Sequence, residues 1–163
     1  MSRITPDGNT KIHIVDSIAT QSAPTLVEVD AGTEITGFLT STGLDTPEEG
    51  TDADISSIAS ARDLSIPATI GGDLSGEFTR DDGTGGTTDE AWDAMPRLLI
   101  THLVIARFGG SGADNAIAVS DTIEVWPVRI SGRSNNAITR GEALRFSVSF
   151  ALRADPSLAA VVA

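Results

Sequence analysis

Leu144-Arg-Phe-Ser-Val-Ser-Phe-Ala-Leu152 decides the fold class. Leu144, Phe146, Val148, Phe150 and Leu152 fall on one side of an extended chain, and Arg145, Ser147, Ser149 and Ala151 on the other. Apolar residues at every second position mark a strand with one buried face, because successive side chains of a pleated chain point opposite ways. The same period runs through Leu64–Ile70 and Asp73–Arg80. Gly71-Gly72 between them reads as a turn, so these stretches predict a hairpin with one apolar and one polar face. Leu98–Phe108 is apolar on both faces apart from His102 and Arg107, the pattern of a strand covered on both sides. Thr122–Ile130 is another strand, in which Pro127 argues for an edge or a bulge. Lys11–Ile18, Ile35–Leu44 and Ile55–Ser60 supply the remaining extended segments.

Two helix starts interrupt the strands. Thr25-Leu-Val-Glu28 fits a capping box, in which Thr25 accepts from the third helical amide and Glu28 reaches back. With Gly32 as the stop, it predicts a short helix over Leu26–Ala31. Thr87-Thr-Asp-Glu90 is a second box and predicts a helix over Thr88–Met95, ended by Pro96. Residues 45–54 read as a polar loop with five carboxylates and no base. Gly109–Gly112 reads as a plain loop, and Ala154–Ala163 as a small-residue tail adding little to a core. The expectation is a mainly β protein, an antiparallel β-sandwich or partly open barrel with one flanking α-helix, extended loops and terminal arms. Residues 1–20 form an N-terminal arm and first strand, 21–153 the β-sandwich domain and 154–163 the C-terminal tail.

A chain of 163 residues fits one domain and can bury about two thirds of its unfolded surface. At 40% hydrophobic residues and a mean hydropathy of +0.04 it is too apolar to be generally disordered. The absence of cysteine rules out disulfides and thiolate chemistry, and leaves a zinc site only His13, His102 and carboxylates. No apolar run approaches a membrane span, and Met1–Asp7 has no apolar core of a signal peptide. Lys11 is the only lysine, so there is no phosphate-binding P-loop. Neither a Gly-x-Ser-x-Gly elbow nor a His-Glu-x-x-His helix is present. Asp52-Ala-Asp54 opens like a calcium loop but has Ser57 where glycine is needed and Asp63 where glutamate is needed. His13 and His102 are isolated in apolar strands. Trp92 and Trp126 read as core anchors, with Trp126 a possible subunit contact. No catalytic residue, cofactor or metal site is assigned, and no enzyme is expected.

The net charge of −12 is uneven. Residues 1–93 hold 18 acids against four bases, while residues 94–163 hold five acids against seven arginines. Such a chain repels phosphate and lacks the footprint of a nucleic-acid gripper. An acid-rich half and an arginine-bearing half supply two unlike surfaces for repeating subunits.

Three stretches resemble a known family. They are Pro24–Leu39 running into Gly43–Gly50; Ile70–Asp82 with Ala91-Trp92; and Leu103–Gly109 with Glu124–Arg129 and Arg145–Phe150. They look like the major tail tube protein of long, non-contractile-tailed (siphovirus-type) bacteriophages, especially those of actinobacterial hosts. The resemblance implies hexameric rings stacked into a hollow tube that conducts the DNA genome. It also implies partners: further copies of the chain, a tape-measure protein, a tail terminator, and baseplate or distal tail proteins. The location it implies is the virion tail, assembled in the host cytoplasm. Double-stranded DNA would pass without specific binding, since counterion release at each neutralised phosphate would make the wall adhesive. On this reading Asp63, Asp73 and Glu77 face the lumen. Asp45, Glu48, Glu49, Asp52 and Asp54 reach a neighbouring ring, where Arg129, Arg133, Arg140 and Arg145 are candidate partners. The alternatives are a contractile-tail or secretion-system tube subunit, a capsid-decoration protein, or a ligand-binding β-sandwich, the last poorly served by a chain without tyrosine.

Overall fold

The structure is a computed structural model describing residues 9–46, 49–54, 65–81 and 89–163, with the backbone alone described at 49–54 and 65–71. The strands are β1 (Lys11–Val15), β2 (Thr33–Glu34), β3 (Leu39–Asp45), β4 (Glu49–Asp54), β5 (Ser65–Gly71), β6 (Leu74–Thr79), β7 (Ile100–Ala106), β8 (Thr122–Asn135), β9 (Arg145–Leu152) and β10 (Ser157–Val161). Two five-residue helices are α1 (Leu26–Asp30) and α2 (Glu90–Ala94).

The main sheet is antiparallel in the order β2-β1-β7-β8-β9-β6-β3, with β10 also paired to β8. β2 and β3 sit at opposite ends of that order, yet only residues 35–38 join them, through a 3₁₀ turn at Thr36–Phe38. Five residue steps span at most ~18 Å, so the sheet must curl until its ends nearly meet. Thr79 Oγ1 donates to the Phe38 carbonyl (3.1 Å), which ties that turn to β6. The result is a partly open barrel, one of the two antiparallel architectures expected from the sequence.

The barrel interior holds Ile12 and Ile14 of β1, Leu103 and Ile105 of β7, and Trp126, Val128 and Ile130 of β8. Facing them are Phe78 of β6, Phe146 and Phe150 of β9, and Ala91 and Met95 from and just after α2. A second apolar layer lies on the opposite face of β7 and β8, where Val104, Ala106, Ile123 and Val125 are covered by Val29 of α1, Ile18, Ile117, Ala160 and Val162. Two covered faces explain why 98–108 reads as apolar throughout.

The capping box at α1 is present: Glu28 N donates to Thr25 Oγ1 (3.3 Å) and Thr25 N to Glu28 Oε2 (2.8 Å). α2 starts at Glu90, with Asp89 at the cap making no side-chain cap bond. Thr87 and Thr88 lie outside the described residues.

Three expectations are corrected. The stretches around 64–70 and 73–80 do not pair with each other: β5 pairs β4, while β6 lies between β9 and β3. Gly71-Gly72 is therefore a pass-through, not a hairpin turn. The supposed polar loop at 45–54 contains strand β4. The supposed tail at 154–163 contains β10, and Ala160 and Val162 are fully buried. Ile55–Ser60 lies outside the described residues.

Pro127 sits inside β8, not on an edge. β9 and β10 follow one another along the same side of β8, with Leu152 opposite Val128 and Ser157 opposite Val125. Arg153 N donates to the Pro127 carbonyl (2.9 Å), so the nitrogen of Pro127 faces the same break between them. The missing donor thus falls where the ladder is already interrupted. Among the described residues no helix is long and apolar enough to cross a membrane.

Candidate functional site

β4 and β5 form a two-stranded arm that follows the pairing of β3 with β6 in the main sheet. Asp45 pairs with Ser75 at the end of the main sheet, and Glu49 pairs with Gly71 where the distal ladder begins. Each pair sums to the same register, so the two ladders are collinear across the break. The distal half continues to Asp54 opposite Ser65, and among the described residues β4 and β5 pair only with each other. Six residues of strand extend this half by about 20 Å. Among the described residues both outer edges lack a strand partner, and open edges promote association unless another chain covers them.

The root of the arm is clipped to the barrel mouth. Arg107 Nη2 donates to Thr46 Oγ1 (2.6 Å) and to Glu124 Oε2 (2.9 Å), and its Nε donates to Glu124 Oε1. Trp126 Nε1 donates to Glu124 Oε2 (3.0 Å), so a core tryptophan fixes the carboxylate that fixes the arginine. Trp126 is 2% exposed and is a core anchor.

The outer face of β3, β6 and β9 is a hydroxyl-rich wall around Glu77. Thr40 Oγ1 (2.9 Å) and Thr42 Oγ1 (3.1 Å) donate to its Oε2, Asn136 Nδ2 donates to its Oε1, and Arg145 Nη1 lies 3.7 Å away. Ser147 Oγ donates to Asn136 Oδ1 (2.8 Å). The hydroxyl of Thr40 leads the donors that hold the Glu77 carboxyl below its ordinary range. Ser75 and Ser149 lie opposite one another on the same ladder, and Asp45 pairs with Ser75. Asp73 is exposed between β5 and β6. Asp63 and Glu48 lie outside the described residues, and the side chains of Glu49, Asp52 and Asp54 are not described.

The four candidate arginines divide into two kinds. Arg133 Nη1 donates to the carbonyls of Trp92 (2.6 Å) and Met95 (3.2 Å), at the end of α2, and Arg145 pairs with Glu77. Arg129 and Arg140 are exposed and have no ion-pair partner among the described residues. Neither the Thr40–Thr42–Asn136 ring around Glu77 nor the Arg107 clip left a sign in the sequence. Only the polar side of the period-2 pattern pointed toward the former.

Gly109 N, Gly110 N, Ser111 N and Gly112 N are bonded to Ala106 O, Asn115 O, Asp121 Oδ2 and Ala116 O respectively, so this loop offers no anion cradle. His13 and His102 are held below their ordinary titration range chiefly by burial. Among the described residues no three His, Asp or Glu side chains converge on a metal position.

One solved structure of the same fold is a chain in the cryo-EM structure of the anti-feeding prophage (AFP) baseplate, 6-fold symmetrised. It aligns with a TM-score of 0.52 at 13% identity, covering 96% of each chain. No curated protein matches the sequence. The family model for phage tail tube proteins matches residues 1–163. The chain belongs to the phage tail tube protein family.

Proposed function

We propose that this structural, non-catalytic tail protein closes into hexameric rings that stack as a hollow tube conducting double-stranded DNA. The observation that carries the reading is the arm, whose distal half pairs with no other strand among the described residues. A ring needs unlike patches on the same chain meeting head to tail, and an open two-stranded arm against the partly open barrel supplies them. The baseplate holding the similar chain is 6-fold symmetrised, which supports six as the copy number. The polar face of β3, β6 and β9 continues the line of the arm and presents Glu77 and neighbouring hydroxyls. This supports a bore that repels phosphate, with Asp63, Asp73 and Glu77 facing it. Asp45, Glu48, Glu49, Asp52 and Asp54 then lie on or beside the arm that reaches an adjacent subunit. Arg129 and Arg140 remain available as partners, whereas Arg133 and Arg145 are already bonded internally. A tape-measure protein, a terminator and baseplate proteins complete the tail, which assembles in the host cytoplasm.

Electron microscopy of the purified protein tests this. Tubes with an axial channel are expected. Replacing residues 46–71 by a tight turn should leave folded monomers and abolish tubes. Monomers from the intact chain under every condition would sink the reading. A contractile or secretion-type tube is the second reading, favoured by the prophage baseplate likeness, and an adjacent sheath gene would select it.

A further inference from the structure

Resting on that tube reading, we propose that a polar clip of Thr46, Arg107 and Glu124 fixes the angle at which the arm leaves the barrel, so that each subunit enters assembly with its arm already aimed. The clip sits where the strand ladder is interrupted. Among the described residues the pairing of β3 with β6 ends at Asp45 opposite Ser75, and that of β4 with β5 begins at Glu49 opposite Gly71. Thr46 is the first residue beyond the main-sheet ladder. A two-stranded ribbon is marginally stable by itself and strongly twisted, so its direction needs a brace beyond its own ladder.

The brace runs outward from the core in three links. Trp126, buried in the core, donates from Nε1 to Glu124 Oε2 (3.0 Å). Glu124 takes the fork of Arg107, with Nε on Oε1 and Nη2 on Oε2 at 2.9 Å. The same Nη2 donates its other hydrogen to Thr46 Oγ1 at 2.6 Å. The backbone of Arg107 is tied down as well, since Thr10 Oγ1 donates to its carbonyl (3.2 Å). Lysine cannot replace this arginine, because an ammonium has no planar fork to grip a carboxylate at two atoms while reaching a third oxygen. Packing does not duplicate the clip: a cavity of about 360 Å³ is lined by Thr46, Arg107, Glu124, Trp126 and Leu158. Without the Thr46 hydroxyl the root of the arm has room to shift. Ordering the arm would then weigh against assembly, whereas a root held beforehand has lost that freedom within the subunit.

The chain has no cysteine, so Val27→Cys on the exposed side of α1 and Ala53→Cys in β4 give a specific spin-label pair. In dilute subunits the label-to-label distances should be narrowly distributed. They should broaden with Thr46→Val, which keeps the shape but lacks the acceptor, and narrow again with Thr46→Ser. In the unlabelled chain, Thr46→Val and Arg107→Lys should each raise the protein concentration needed for tubes by about tenfold. The melting curve of Thr46→Val should stay in place, and Thr46→Ser should assemble like the wild type. Distances that do not broaden with Thr46→Val overturn the clip. Broadened distances with tubes at the wild-type concentration also overturn the proposal, since assembly then does not draw on the aim of the arm. If the wild type forms no tubes, the tube reading fails and takes the assembly half of the proposal with it, while the distances still decide whether the clip aims the arm.

Discussion

Arg133 lies with its guanidinium carbon 3.6 Å from the centre of the Trp92 ring and donates to the carbonyl of the same tryptophan at 2.6 Å. Arg80 places a second guanidinium 4.1 Å from that ring and pairs with Asp89 at 2.6 Å, and Phe146 meets the ring edge-on at 5.1 Å. α2 is too short to hold itself, so these contacts fix it against the barrel core. Arg133→Ala should cost about 2 kcal/mol in chemical denaturation, combining a stacked cation with charged hydrogen bonds. Arg133→Lys should recover under half, because an ammonium lacks the planar fork. Full recovery by lysine would show that charge alone matters.

Glu77 gives a pH-dependent prediction. Its folded carboxyl is depressed below 4.5, so its contribution is complete well above that value and is lost as pH falls through the folded one. Glu77→Gln should melt earlier than wild type at neutral pH, and the two curves should converge in acid. A difference that persists at low pH would contradict the network described here.

Val162 is 1% exposed and its amide donates to the Asp121 carbonyl (3.0 Å), while Ala163 N bonds Pro24 O (2.9 Å). Val162→Ala should cost about 2 kcal/mol by thermal or chemical unfolding. Removing residues 157–163 should prevent folding, not merely weaken assembly. A truncated chain with an intact melting transition would refute this.

A Cβ at Gly110 would stand 1.8 Å from the Ala116 carbonyl oxygen. Backbone on both sides leaves no flexible atom to yield. Gly110→Ala should therefore cost at least about 2 kcal/mol and loosen residues 109–121, visible as faster amide exchange at Ser111 and Ala118, both held by Asp121. Unchanged exchange at these amides would argue against the clash.

The sequence made individual strands legible more readily than their partners. The period in 144–152 and 73–80 identifies β9 and β6, because one face must be buried whatever lies alongside. It says nothing about which strand lies alongside, so Gly71-Gly72 read as a local hairpin when Leu74 in fact pairs with Phe150. Composition misled at 45–54, where carboxylates look like a loop but Glu49–Asp54 form a strand of the arm. It misled again at 157–163, where alanines look dispensable but leave just enough room to pack against β8. The Thr25 box was legible because its chemistry is complete within four residues. The clip at Arg107 was not, since Thr46 and Glu124 approach it only after the sheet curls.

The arm has a mechanical consequence. β6 is stitched to β9 by six consecutive register pairs, from Leu74 opposite Phe150 to Thr79 opposite Arg145, and runs on in line with the arm. Tension applied at the arm's far end therefore acts parallel to those strands. The backbone bonds between them are strained together in shear instead of peeling apart one after another. A pull strong enough to unzip an ordinary hairpin would leave this anchorage in place.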